Sequence, residues 1–406
     1  MIKPLIISPY FYRQGNANGQ VDRALFQNLP PNFAPTIVTT ALFDKSLIED
    51  KCKKIYIKEN AFYKKAYKFI KHTPIKEIAF LPDIFHLTWQ RNVEKVISNI
   101  QLNQYHYIHS TSVPFTDHII AYHIKLKYGI PWIAQFYEPW TDNNYRPLKH
   151  RYFVEKNKQL ERIVAENADI IIHDSEAMCN LWESRYGKEI GKKIVSLPMP
   201  FDESKCRKDS VENNKNGKLT ITHIGTFYHE RNSVDLMKGI SFFLEREPEK
   251  REKIEIVFVG TVTKEDYKAI KEYKLGDIVN IVGKVSEYEC NKYYNDADIF
   301  LAVDGEKNDN LFYPSKVLKY YYYQKPILGL INSGSVLSYE LAKSRNYPIP
   351  KKNHIAIADF LTKAFSDYPN LLNFDHDYWK SFTSNNVVNK YTSIIYNILS
   401  KHNIDE

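Results

Sequence analysis

Short apolar runs, each giving way to a polar turn and most followed by a helical pattern, constrain this chain more than any other feature. They fall at 5–8, 36–40, 107–109, 132–136 and 170–173, and after a polar interval at 219–224, 254–259, 279–282, 299–303 and 327–330. Helical periodicity fills intervals between them, as at 20–28, 115–127 and 150–167. Strands that alternate with helices imply parallel sheets covered on both faces, an α/β doubly wound architecture. The chain has 406 residues, enough for two domains of ordinary size. The polar stretch 201–218 reads as a linker between a first domain over 1–200 and a second over 219–375. Residues 376–406 close the chain with a helical stripe of Tyr391, Ile395 and Leu399.

The stretch 297–330 reads as strand, polar loop, helix, strand. Ser315 stands at the N-cap position, its hydroxyl able to accept from free backbone N–H groups. Lys316 and Lys319 follow in the first turn, on one helical face. Two cations at a helix start are unfavourable unless an anion lies between them. A helix start at the carboxyl end of a strand is also where doubly wound folds hold phosphate. A solvated lysine pair on a surface helix is the plainer alternative. The run Tyr320–Tyr323 reads as a packed amphipathic helix.

Three strands of the second half run into glycine, at Gly225, Gly260 and Gly283, which suggests a crevice where backbone comes close to something. Arg231 follows the first of them within reach of the same crevice. In the first half, the loop 9–19 carries Gly15 and Gly19 after the first strand. Its spacing is not that of a dinucleotide fingerprint. Glu138 stands at a strand's carboxyl end, where a site residue belongs, although it could instead cap the segment that follows. His109 reads as the end of another strand.

Composition narrows the partners. The formal charge of +8 favours acidic ones, whether nucleotides, anionic membrane surfaces or nucleic acid. Lysines from Lys51 to Lys76 interleave with aromatic residues, as in a basic amphipathic helix on an anionic membrane or a plainly solvated helix face. No recognition helix gathers the charge, so nucleic acid is not the expected partner. Four scattered cysteines suit free thiols in the cytoplasm and no zinc site. No run is long enough to span a bilayer or shaped as a signal peptide. Walker, zincin and nucleophile-elbow motifs are missing. Asp296-Ala-Asp298 and Asp375-His-Asp377 precede their elements, so no metal site is expected.

These features together resemble the GT-B glycosyltransferases, and more narrowly the retaining group called glycosyltransferase family 4, over nearly the whole chain. Gly225-Thr-Phe-Tyr-His-Glu-Arg231 is similar to the family's glycine-led strand end with its phosphate-binding cation. Gly283-Lys-Val-Ser resembles the segment beside the nucleotide base. Phe312-Tyr-Pro-Ser-Lys-Val-Leu-Lys-Tyr320, followed by Lys325-Pro-Ile-Leu, is the strongest match. In the first half, 9–19 and Gln135-Phe-Tyr-Glu-Pro-Trp-Thr141 resemble the glycine loop and the Asp-Pro-Trp loop of bacterial polysaccharide enzymes, with Glu138 in place of aspartate.

The resemblance implies two Rossmann-like domains facing across a cleft, with the last helix returning to the first. It implies transfer of a sugar from a UDP- or GDP-sugar to a hydroxyl of a glycan or lipid-linked acceptor, without cofactor or metal. Glu138, Arg231 and Lys316 would be catalytic. Gly225, Thr226, Phe227, Arg231, Lys284, Val285, Pro314, Ser315, Lys316 and Lys319 would hold the donor. Gly15, Asn18, Gly19, His109 and Trp140 would line the acceptor side. Where the family carries two glutamates eight residues apart, this chain has Leu311 and Lys319. A lysine there adds positive charge, which brings an acidic sugar donor into consideration. A nucleotide-sugar epimerase of the same fold and a non-catalytic sugar- or nucleic-acid-binding protein are the rival readings.

Overall fold

The computed structural model describes the chain except at residues 14, 41–50, 59–64, 66–67, 71–72, 144–147, 209–216, 229, 306–310, 368–372 and 403–406. Two compact units divide it, Met1–Phe201 with Phe382–Glu406, and Asp202–Ser381.

The first unit holds a seven-stranded parallel sheet. Its strands are β1 (Pro4–Ile7), β2 (Thr36–Thr40), β3 (Lys53–Ile57), β4 (Tyr107–Ser112), β5 (Trp132–Phe136), β6 (Ile170–His173) and β7 (Ile194–Ser196). They lie in the order β3-β2-β1-β4-β5-β6-β7, so the order reverses between β1 and β4. Every residue of β1, β2, β4 and β5 is buried, the pattern of a sheet covered on both faces. The closing helix Ser384–Lys401 packs here. Tyr391, Ile395 and Leu399 join Ile6, Leu25 and Phe26 in one core, and the Tyr391 hydroxyl lies 2.9 Å from His109 Nδ1.

The second unit holds β8 (Leu219–Ile224), β9 (Ile254–Val259), β10 (Val279–Gly283), β11 (Ile299–Val303), β12 (Ile327–Ile331) and β13 (Tyr347–Pro350). They are parallel in the order β10-β9-β8-β11-β12-β13, reversing between β8 and β11. Helices Val234–Arg246 and His354–Asp367 pack so closely that a Cβ on Gly239 would run into Ile357. The tyrosine run is a packed helix, as its pattern implies. Tyr320, Tyr321 and Tyr323 are buried, and the Tyr320 ring stacks on Phe300 at 4.3 Å.

Several expectations are corrected. The basic span is not one amphipathic helix, because Lys53–Ile57 forms the edge strand β3 and Pro74–Phe80 a 3-10 helix. Charged residues outline an edge strand that has no second neighbour. Part of that span, including Lys64 and Lys71, and residues 209–216 of the polar stretch read as a linker lie outside the described residues. His109 does not end its strand. It lies inside β4, fully buried. No helix among the described residues is long and apolar enough to cross a membrane.

Candidate functional site

In the second unit, the carboxyl ends of β8 and β11 flank the point where strand order reverses, which is where doubly wound sheets open a crevice. Glycine ends β8, β9 and β10 there in a hydrogen-bonded row. Gly225 donates to Val259 and Gly260 to Gly283, each at 2.7 Å. All three have positive φ, and a Cβ on Gly260 would collide with the Gly225 carbonyl. What approaches Gly225 is Lys316. Its Nζ would stand 3.0 Å from a Cβ placed there.

Lys316 opens the helix Lys316–Tyr323. Its Nζ lies 3.0 Å from Nε2 of His223, a buried residue inside β8. The other imidazole nitrogen, Nδ1, lies 2.9 Å from the Leu301 carbonyl. A carbonyl only accepts, so Nδ1 carries the proton and Nε2 offers its lone pair to the lysine. Phe227 stacks on the imidazole at 4.0 Å. Burial, and then the neighbouring Arg231, bring the Lys316 pKa down to about 7. Sequence reasoning missed His223, which sits unmarked inside an ordinary strand pattern.

Arg231 is buried, and its Nη1 donates to the Tyr228 hydroxyl at 2.8 Å. Reciprocal backbone bonds between Tyr228 and Arg231 close this loop. Asp266 anchors its far side. One carboxylate oxygen accepts from the Ser233 N–H at 2.6 Å and hydroxyl at 2.7 Å, the other from Thr263 N–H at 2.6 Å and hydroxyl at 2.7 Å. Two cations, a glycine row and an oriented imidazole thus meet at one strand crossover. That arrangement suits a doubly negative phosphate group.

The other predicted donor residues separate. Pro314 is buried, Ser315 and Val285 half-buried, Thr226 and Lys284 exposed. Ser315 does not cap with its side chain: its backbone is already helical, and the first turn closes on the Pro314 carbonyl instead. Lys319 turns from Lys316 to pair with Glu287 at 2.9 Å, so the two lysines do not share one anion.

In the first unit, Asn16 caps the helix Ala17–Phe26 through Gly19 N–H at 2.9 Å. Gly19 packs against the Tyr10 carbonyl, which leaves no room for a Cβ. Gly15 is exposed and Asn18 half-buried. Glu138 is half-buried between two anchored aromatic residues. The Tyr137 hydroxyl donates to Asp22 at 2.7 Å. Trp140 is buried, stacks on Phe115 at 4.7 Å and donates to Asn157 at 2.8 Å, so it fixes the loop from within. His109 is packed against Phe26 and Tyr391, its pKa lowered to about 3 by burial. Enclosed in this way, it belongs to the core.

No protein-family model and no curated protein matches the sequence. Solved structures match it end to end. A sucrose-phosphate synthase from Thermosynechococcus elongatus aligns at 13% identity over 99% of this chain and 100% of its own, with a TM-score of 0.69. The chain has the GT-B fold. HepE of Anabaena, solved in complex with UDP and glucose, shares it at 11% identity, covering 98% of this chain and 100% of its own, with a TM-score of 0.67. A putative UDP-N-acetylglucosamine 2-epimerase from Listeria monocytogenes matches at 12% identity, 98% and 97% coverage and a TM-score of 0.60. The GT-B fold is therefore common to sugar transfer and to epimerisation.

Proposed function

We propose that this chain is a glycosyltransferase that moves a hexose from a nucleotide-diphosphate sugar to a hydroxyl of a glycan or lipid-linked acceptor. The observation that carries the reading is Lys316 Nζ set over Gly225 beside His223, with Arg231 as its charged neighbour. Charge develops on the leaving diphosphate as the sugar departs, and fixed cations and backbone N–H groups aimed there stabilise the transition state. Lys316 and Arg231 supply that charge from the protein itself, which fits a metal-independent reaction.

The neighbours solved with UDP support a uridine nucleotide, with GDP the alternative. Lys319 is neutralised by Glu287, which favours a neutral sugar over an acidic one. Transfer with retention, in the synthesis of bacterial surface polysaccharide at an anionic membrane face, completes the reading, with Glu138 positioning sugar or acceptor. An epimerase would use the same diphosphate contacts but no acceptor.

Titration of UDP, GDP, uridine and a DNA oligomer against the wild type, Arg231→Ala and Lys316→Met tests the site. Each charge-assisted bond contributes roughly 1.5–3 kcal/mol, so both variants should lose UDP affinity and keep that for uridine. Equal losses for nucleoside and diphosphate, or tight oligomer binding without UDP, would remove the proposal. Epimerised sugar formed from UDP-N-acetylglucosamine without any acceptor would replace it with the epimerase reading.

A further inference from the structure

Where strand order reverses in the first unit, one carboxylate gathers three hydroxyls from three strand ends. Asp22 Oδ2 accepts from Ser8, just past β1, at 2.5 Å, and from Thr111 of β4 at 3.1 Å. Its Oδ1 accepts from the Tyr137 hydroxyl, just past β5, at 2.7 Å. Asp22 is 1% exposed. Burial raises its pKa to about 6, against the opposing pull of the three hydroxyls and Arg23. Asp117, on the helix Thr116–Tyr128, faces the same region, and its own pKa is raised well above the ordinary value by burial, Asp83 and Asp22. A core that needed only packing would be served by an apolar residue here, since a buried carboxylate carries a desolvation penalty.

Tyr137 immediately precedes Glu138. The phenol–carboxylate bond therefore ties the Glu138 loop to the helix Ala17–Phe26 and to the ends of β1 and β4. We propose that Asp22 is a positioning residue for the transfer reaction, fixing Glu138 through the Tyr137 hydroxyl. The inference rests on the function proposed above. The ionised carboxylate accepts from all three hydroxyls. Once protonated it becomes a donor itself, and the three contacts compete for fewer lone pairs.

The test uses full-length wild type, Asp22→Asn and Tyr137→Phe, with release of UDP from UDP-glucose or UDP-N-acetylglucosamine as the rate and UDP titration as the affinity. Wild type should lose turnover as pH falls through about 6. Tyr137→Phe, which leaves Asp22 and its other two partners in place, should lower kcat by about 10-fold or more, with UDP affinity unchanged. Asp22→Asn should flatten the acid limb while retaining cooperative unfolding. A Tyr137→Phe variant with wild-type kcat, or an Asp22→Asn variant that keeps the acid limb, would overturn the inference and leave the nucleotide site standing. Absence of UDP binding by the wild type would instead remove the function on which it rests.

Discussion

Lys316 Nζ and His223 Nε2 lie 3.0 Å apart, the lysine donating and the imidazole accepting. The histidine orients the ammonium group without neutralising it. His223→Phe preserves the stack on Phe227 and removes the acceptor. We expect UDP affinity to fall about 5-fold, the equivalent of roughly 1 kcal/mol for one hydrogen bond, with uridine binding unchanged in calorimetry. Equal binding of UDP to both proteins would show that the imidazole does not orient the lysine.

On the function proposed, the same lysine should make donor binding depend on pH. Its pKa is about 7 in the folded chain, against 10.5 as the ordinary value. Between these values the unfolded chain holds a proton that the folded chain lacks, so Lys316 lets stability rise as pH rises through that window. Binding runs the other way. A diphosphate recharges the lysine, so UDP should bind with proton uptake at pH 8 and more weakly as pH rises. Calorimetry in two buffers of different ionisation enthalpy reads this uptake. Lys316→Met should abolish it and also raise the melting temperature.

Lys319 and Glu287 form a partly exposed ion pair, 24% and 49% accessible. Such pairs contribute roughly 0.2–1 kcal/mol. Lys319→Glu should destabilise by about that amount, and adding Glu287→Lys should restore the loss. A double-mutant cycle in urea measures the coupling. If Lys319→Glu alone abolished donor binding while the fold survived, the lysine would contact the donor and not only Glu287.

Asp266, fully buried with four short bonds to Ser233 and Thr263, fixes the far side of the Arg231 loop. Asp266→Ala leaves those donors unmatched. The expected loss is about 3 kcal/mol or more in urea unfolding, since bonds to a charged acceptor are among the stronger ones. A change under about 0.5 kcal/mol would mean that water replaces the carboxylate without penalty.

Phe69 is 78% exposed and Ile78 45% exposed, in the lysine-rich first third of the chain. Co-sedimentation with vesicles should rise with anionic lipid and fall with salt. Sedimentation indifferent to both would dismiss a membrane role for this surface.

The central strands were legible because burial on both faces demands continuous apolar runs, as in Leu219–Ile224 and Ile299–Val303. Of the four edge strands, Val279–Gly283 was legible and three were not. Lys53–Ile57 carries two lysines, Ile194–Ser196 has three residues, and Tyr347–Pro350 contains two prolines, so none shows the signal of a buried run. The site was half legible. Glycine at three strand ends and lysine at a helix start are local features. His223 and Asp22 act through partners 14 to 115 residues away, and Asp266 reaches Ser233 33 positions back in addition to its local capping of Thr263; local pattern carries no trace of the distant pairings. His109 misled for the same reason: its contacts with Phe26, Gln135 and Tyr391, the last 282 positions along the chain, reveal an interior residue.

The close approach of Gly260 to the Gly225 carbonyl has a bearing on how the proposed donor site could diversify. A backbone wall with no space for a side chain offers natural selection almost nothing to vary. Changes in donor preference at the proposed site would have to arise beside that wall, among the accessible Thr226, Tyr228 and Lys284. A library randomised at those positions should yield altered nucleotide or sugar preferences, whereas one built at Gly225 and Gly260 should return mainly inactive or misfolded chains.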